Sequence, residues 1–222
     1  ILALIAVRIC VYDITFSKFD FSIFELKKML RYGGWITVSN VISPLMAYAD
    51  RFILSNLLGA KHATYYTSAS ELISRLAFIP GSVARAIFPS LARNELSSKK
   101  MEINSYVSLS IVLIFILVPL YIFSKDIIGI WLGDSYSENT SSVLRILIVG
   151  FFFNSMAQIP FSKIQALGKS KLTALIHFSE LMPYLITLYF MISNYGIIGA
   201  AYAWTIRVVI DFIVLYYCSK KV

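Results

Sequence analysis

Along this chain, uncharged or nearly uncharged runs of about 20 residues recur, separated by short Lys-rich or Gly-rich segments. A helix of that length crosses a hydrocarbon layer of ~30 Å. Six runs are predicted as spanning helices, at about 32–58, 63–91, 103–124, 143–165, 171–193 and 196–218. Residues 103–124 carry no charge, which makes that span the clearest. The opening stretch "ILALIAVRICVY" is too short to cross and reads as the tail of a preceding transmembrane helix, residues 1–13. It lacks the basic lead and small-residue cleavage site of a signal peptide, so the chain reads as the C-terminal part of a longer protein. Residues 14–31 then form a cytoplasmic linking segment, and 32–222 a six-helix transmembrane lobe. Within the linker, "FELKKMLRYGGW" is basic and amphipathic; a short helix on the membrane surface and an ordinary basic loop both fit it.

The basic residues between the runs set a direction. Lys18, Lys27, Lys28, Arg31, Arg93, Lys99, Lys100, Lys163, Lys169, Lys171, Lys220 and Lys221 all fall on one side of the predicted layer, and only Lys61 and Lys125 on the other. The positive-inside rule makes the first side, and with it the C-terminus, cytoplasmic. Segment 124–142 is then an external loop. The +8 net charge is thereby explained by topology, and no nucleic-acid partner is expected.

Composition agrees: 58% hydrophobic and 14% charged residues, with mean hydropathy +0.74, against about half and a quarter for soluble domains. All six prolines lie inside the runs, where neighbouring helices can satisfy the backbone groups they free.

Removing the loop charges leaves Arg8, Arg51, Arg75, Arg85, Arg145 and Arg207 in or near spans, with Asp50, Glu71, Glu180 and Asp211, and Asp13 at a helix end. Each charge at a helix centre costs about 2.5–3.5 kcal/mol on the insertion scale, so these groups must pair, snorkel or face water. Asp50, Arg51, Glu71 and Arg75 lie at matching depth on two antiparallel helices joined by "GAKHA", and Glu71 and Arg75 are i,i+4 neighbours. Glu180, with His177 one turn away, faces the i,i+4 pair Arg207 and Asp211 in the last hairpin. The two charged hairpins are expected at opposite ends of one bundle. Such pairs either lock helices together or line a polar pathway, where arginine can grip a phosphate with parallel hydrogen bonds. Snorkelling accounts for Arg85 and Arg145. "GAKHA" (59–63) echoes "GAAYA" (199–203), and "IPGSVARA" (79–86) echoes "IPFSKIQA" (159–166), as internal repeats of transporters do.

No Walker loop, HExxH or GxSxG is present, and no cofactor motif. Cys10 and Cys218 are far apart and suggest neither a disulfide framework nor a metal site. No external loop is long enough for a catalytic domain, which argues against an enzyme.

Residues 32–93 hold an intramembrane Asp50-Arg51, a Leu58-Gly59 turn, an aromatic helix start from Ala63 to Tyr66, and Pro89-Ser90-Leu91 at the inner end. In these features the chain resembles the O-antigen and polysaccharide-unit flippases of the multidrug/oligosaccharidyl-lipid/polysaccharide exporter superfamily. The resemblance implies an all-α polytopic bundle forming one lobe of a MATE-like two-lobe transporter in a bacterial inner membrane. It implies movement of an undecaprenyl-diphosphate-linked oligosaccharide from the cytoplasmic to the periplasmic leaflet by alternating access. H+ or Na+ is the implied coupling ion; membrane lipid and other polysaccharide assembly proteins are implied partners. Arg51, Arg75 and Arg207 are expected to contact the substrate's diphosphate or an anionic sugar, with Tyr48, Tyr65, Tyr66 and Trp204 stacking on sugars or packing. Asp50, Glu71, Glu180, Asp211 and His177 are expected to pair with the arginines or carry protons. A multidrug antiporter coupled to a cation, and a glycan-assembly membrane protein without transport, remain the alternatives.

Overall fold

The computed structural model describes residues 23–93 and 96–221. The predicted tail at 1–13, with Arg8, Cys10 and Asp13, and the first part of the linking segment lie outside the described residues.

Among the described residues seven helices follow one another: α1 (Ile23–Leu58), α2 (Ala60–Leu76), α3 (Phe78–Arg93), α4 (Leu96–Ile122), α5 (Ser124–Leu132), α6 (Asp134–Ala166) and α7 (Ser170–Lys221). No strand occurs among the described residues. Among the described residues, four helical stretches are long and apolar enough to cross a membrane: Ala60–Arg93, Lys99–Ile122, Asp134–Ala166 and Ser170–Lys221. The chain is thus a multi-pass membrane protein.

Three boundaries differ from the sequence reading. The predicted span 63–91 is two helices, α2 and α3, that meet at Ala77. The segment expected as an external loop, 124–142, is instead α5 and the first turns of α6, joined at Gly133 with φ 88°. The linking segment and the first span form one continuous helix from residue 23 to 58. That helix is not among the four qualifying stretches: Gly, Tyr, Trp, Ser, Asn and Pro dilute the apolar character of residues 32–49.

α7 has 52 residues, ~78 Å if straight, over twice the hydrocarbon thickness. It folds back at Gly196, whose φ of 60° is costly for residues with a Cβ. Pairs on either side of the bend prove the antiparallel return: Tyr184 meets Arg207 and His177 meets Asp211. Gly196, rather than the Gly199 matched to Gly59 in the internal repeat, is therefore the turn residue. Counting the two arms of α7, 170–195 and 197–221, the six predicted crossings are all helical.

α6 is the hub, packing against α2, α3, α4, α5 and α7, while α1 lies along α7 and α2. At Gly150 α6 nearly touches the second arm of α7. A Cβ there would sit 2.5 Å from the Trp204 ring, and Thr205 Oγ1 donates to the Ile146 carbonyl at 3.2 Å. Small residues at such crossings let backbones approach closely where no hydrophobic effect drives association. α4 shows the inside-out pattern this solvent selects. Leu109, Leu113 and Leu117 form its buried stripe, while Ile111, Phe115 and Val118 face outward.

The two ends of the bundle differ. At one end Tyr32 donates to the Gln165 carbonyl at 2.9 Å, Lys171 lies over the Trp35 ring and Lys163 pairs with Glu102 at 2.8 Å. Lys99, Lys169 and Lys220 belong to this end by their positions at the termini of α4, α6 and α7. At the other end Leu58 and His62 gather with Asn139 and Gly196, and Lys125 pairs with Glu138. The described basic residues segregate as the charge census predicts.

Candidate functional site

α1 buries Ser39, Ile42, Met46, Asp50 and Leu54, a stripe with helical spacing in which Asp50 occupies a core position at 3% exposure. A carboxylate there requires donors. Tyr66, the largest fully buried side chain of α2, donates its hydroxyl to Asp50 Oδ2. The Arg51 backbone N–H donates to Oδ1 at 2.7 Å.

The Arg51 side chain turns toward α2. Its Nη2 donates to Ser70 Oγ at 3.1 Å, Nη1 lies 3.6 Å from Glu71 Oε1, and its guanidinium sits over the Tyr48 ring. Glu71 also meets Arg75 at 3.7 Å, so Arg51, Glu71 and Arg75 of the predicted network are joined across this hairpin, while Asp50 bonds Tyr66 and a backbone N–H instead of an arginine side chain. Arg75 is 84% exposed, however, and lines a separate 650 Å³ groove with Glu71, Thr67, Ser68 and Trp131.

In the last hairpin the predicted partners regroup. Asp211 faces His177 Nε2 at 3.8 Å instead of forming the expected i,i+4 ion pair with Arg207, and Glu180 is close enough to both to interact electrostatically. Neither Glu180 oxygen accepts a hydrogen bond from a basic side chain among the described residues. Arg207 Nη1 reaches only the Met46 thioether, at 3.4 Å, with Tyr184 beneath its guanidinium. Arg207 has no carboxylate within 4 Å among the described residues, and its Nε is buried without a partner.

The two charged hairpins do not stand at opposite ends of the bundle. They meet at one cavity of 240 Å³, lined by Asp50, Arg51, Tyr66 and Ser70 on one side and Trp204 and Arg207 on the other. The packing of α1 along α7 brings them together. Asp50 lies eight residues, ~12 Å, from the Leu58 end of α1, so the cavity is at membrane depth. A second cavity of 190 Å³, lined by Ser179, Glu180, Tyr184 and Thr187, shares Arg207 as a wall.

Among the predicted aromatics, Trp204 and Tyr66 line the main cavity and Tyr48 is exposed beside Arg51. Tyr65 is buried edge-on against Tyr136, away from that cavity. Arg145 is tied to Ser124 Oγ at 2.8 Å and lies over Tyr121; Arg85 is exposed and donates to Ser82. Sequence reasoning missed the polar wall supplied by α6, where Asn154 and Gln158 line the cavity with Leu147 and Phe151. Their spacing, 147, 151, 154 and 158, is that of one helix face and could have been found by periodicity. No cluster of three or more potential metal ligands occurs among the described residues.

The fold has a solved counterpart. It superposes on the crystal structure of a MATE mutant with a TM-score of 0.80 at 16% identity, over 99% of this chain and 52% of that one. In sequence the chain is 44% identical over 215 residues to a Shigella flexneri protein named as an O-antigen transporter, covering 94% of this chain and 50% of that protein. It is 26% identical over 182 residues to a Haloferax volcanii protein named as a low-salt glycan biosynthesis flippase, covering 80% of this chain and 38% of that protein. The chain thus spans half or less of the length of these curated relatives. The model of a family described as "Polysaccharide biosynthesis protein" matches residues 2–141. With well over half of its sequence inside that match, the chain belongs to the polysaccharide biosynthesis protein family.

Proposed function

We propose that this chain is the C-terminal lobe of a transporter that moves an undecaprenyl-diphosphate-linked oligosaccharide, such as an O-antigen repeat unit, between the leaflets of the bacterial inner membrane. The observation that carries this reading is Arg207: a guanidinium at membrane depth, open to a cavity, whose one hydrogen bond among the described residues goes to a thioether. Five donors in a rigid plane suit a phosphate oxygen pair. Arg51, across the same cavity, holds only Ser70 and a long ion pair to Glu71, and its Nε is also without a partner. The two guanidinia then bind the diphosphate, and Arg75 draws the anionic head toward the cavity from the neighbouring groove. Tyr48, beside Arg51, stacks on sugars; Tyr66 supports the cavity from the packed side, and Tyr65 packs against Tyr136.

Asp50 and Glu71 hold the empty site in register by occupying Tyr66, Arg51 and Arg75 when no anion is present. Glu180, which lines the second cavity, with Asp211 and His177 beyond its wall, carries the coupling H+ or Na+. Alternating access follows from rocking this lobe against its counterpart. The basic end of the bundle faces the cytoplasm by the positive-inside rule, which places the C-terminus there. The relatives' names, in terms of O-antigen transport and glycan flipping, support the same reading.

The test is export in cells that depend on this protein. Arg51→Ala and Arg207→Ala should each leave lipid-linked repeat units on the cytoplasmic face, while Arg207→Lys recovers part of the activity. Undiminished surface polysaccharide in both alanine variants would overturn the assignment.

A further inference from the structure

Polar side chains elsewhere in this bundle mostly satisfy themselves on their own backbone. Ser155 donates to the Phe151 carbonyl at 2.7 Å, Asn194 to Phe190 at 2.8 Å and Ser70 to Thr67 at 3.0 Å. Asn154 and Gln158 do not. Both are half-buried, both line the 240 Å³ cavity, and neither forms a hydrogen bond with any described residue. Ser43, on the facing wall from α1, is in the same condition. One turn of α6 separates the two amides, ~6 Å between Cβ atoms, so both can meet a single ring.

Unsatisfied amides at membrane depth cost ~1–3 kcal/mol each unless water or a ligand meets them. An apolar ligand would leave them unmet. A cation would be drawn to the Glu180 carboxylate in the second cavity, and a phosphate to Arg51 and Arg207. An amide offers one acceptor and two donors, the complement of hydroxyls that both give and receive a proton. Trp204, fixed by its contact with Gly150, adds an aromatic face to the same cavity. The volume is below the ~300–1,000 Å³ of drug-sized pockets, which suits one ring rather than a whole glycan.

We propose that Asn154 and Gln158, with Ser43 opposite and Trp204 beside them, read the hydroxyls of the sugar ring next to the diphosphate and so determine which glycan the protein accepts. This rests on the lipid-linked glycan reading of the same cavity. Arg51 and Arg207 hold every lipid diphosphate alike; the α6 amides discriminate between sugars.

Binding of three probes to the purified protein in nanodiscs separates the two roles: undecaprenyl diphosphate, the same lipid carrying a hexose, and the same lipid carrying the matching deoxyhexose. The native protein should distinguish hexose from deoxyhexose. Gln158→Met and Asn154→Leu should weaken the preferred sugar lipid by about 10-fold, the scale of one lost hydrogen bond in a closed site, and flatten that distinction. Binding of the bare diphosphate should stay within twofold. Gln158→Asn, which keeps the amide but withdraws it by one methylene, should give an intermediate preference and guards against a variant that fails to fold. The inference is overturned if the amide variants weaken all three probes equally or leave the sugar preference unchanged. If Arg51→Ala and Arg207→Ala do not weaken the bare diphosphate, the transport reading beneath it fails instead.

Discussion

Removing one oxygen from Tyr66 tests whether Asp50 is held at a core position by a specific donor. In the structure the Tyr66 ring is 1% exposed and its hydroxyl donates to Asp50 Oδ2. Asp50 is 3% exposed, and its other oxygen accepts the Arg51 N–H at 2.7 Å. Tyr66→Phe keeps the ring and its packing but takes away a donor that the carboxylate cannot replace from lipid. A hydrogen bond to a charged group contributes about 1.5–3 kcal/mol, so the variant should lose about 2 kcal/mol, a ~30-fold change in the unfolding equilibrium. Asp50→Asn removes the charge at nearly constant volume and weakens the same bond. In the double variant the second change should cost little, giving a coupling energy of about 1–2 kcal/mol for a pair in direct contact. Equilibrium unfolding in mixtures of a mild detergent and SDS, followed by loss of helicity, measures all four corners of the cycle. Additive effects, with coupling under ~0.5 kcal/mol, would refute the reasoning: Asp50 would then be solvated by the cavity, and Tyr66 would be a neighbour without a role.

Other expectations follow from packing and charge placement. Gly150→Val should cost about 1–3 kcal/mol by overpacking and shift the emission of Trp204, since even a bare Cβ would stand 2.5 Å from its ring; unchanged thermal stability would count against the close α6–α7 crossing. Glu102→Ala or Lys163→Ala should each cost about 1–2 kcal/mol, between the values for exposed and sealed ion pairs. The charge-swapped double variant should recover more than half of that loss, because the pair is 2.8 Å apart and largely shielded. Cysteines at Asn139 and Lys100 should react with an impermeant maleimide from opposite faces of the membrane; labelling of both from one face would contradict the six-crossing topology.

How much of this was legible in the sequence depends on which force set each feature. Membrane crossing is written in composition, so the six runs were found. The break at Ala77 and the helical 124–142 were not, because no length rule distinguishes a kinked crossing from a straight one, and Ser, Asn and Gly at 133–142 resemble loop residues. The Arg51–Glu71–Arg75 network was legible from helical spacing and a short connection. Its joining to Arg207 was not, since nothing local in residues 46–75 encodes that α1 lies along α7. Tyr66 as the partner of Asp50 was missed because a membrane tyrosine reads first as an aromatic platform. Asn154 and Gln158 escaped notice because uncharged amides barely disturb hydropathy, although their spacing marks one face of α6.

Arg207 stands in the partition between two chambers, one bordered by Asp50 and Arg51 and the other by Glu180. A guanidinium carries N–H donors on more than one edge but a single positive charge. Both chambers therefore border the same cation, and a substitution at Arg207 alters the wall of each.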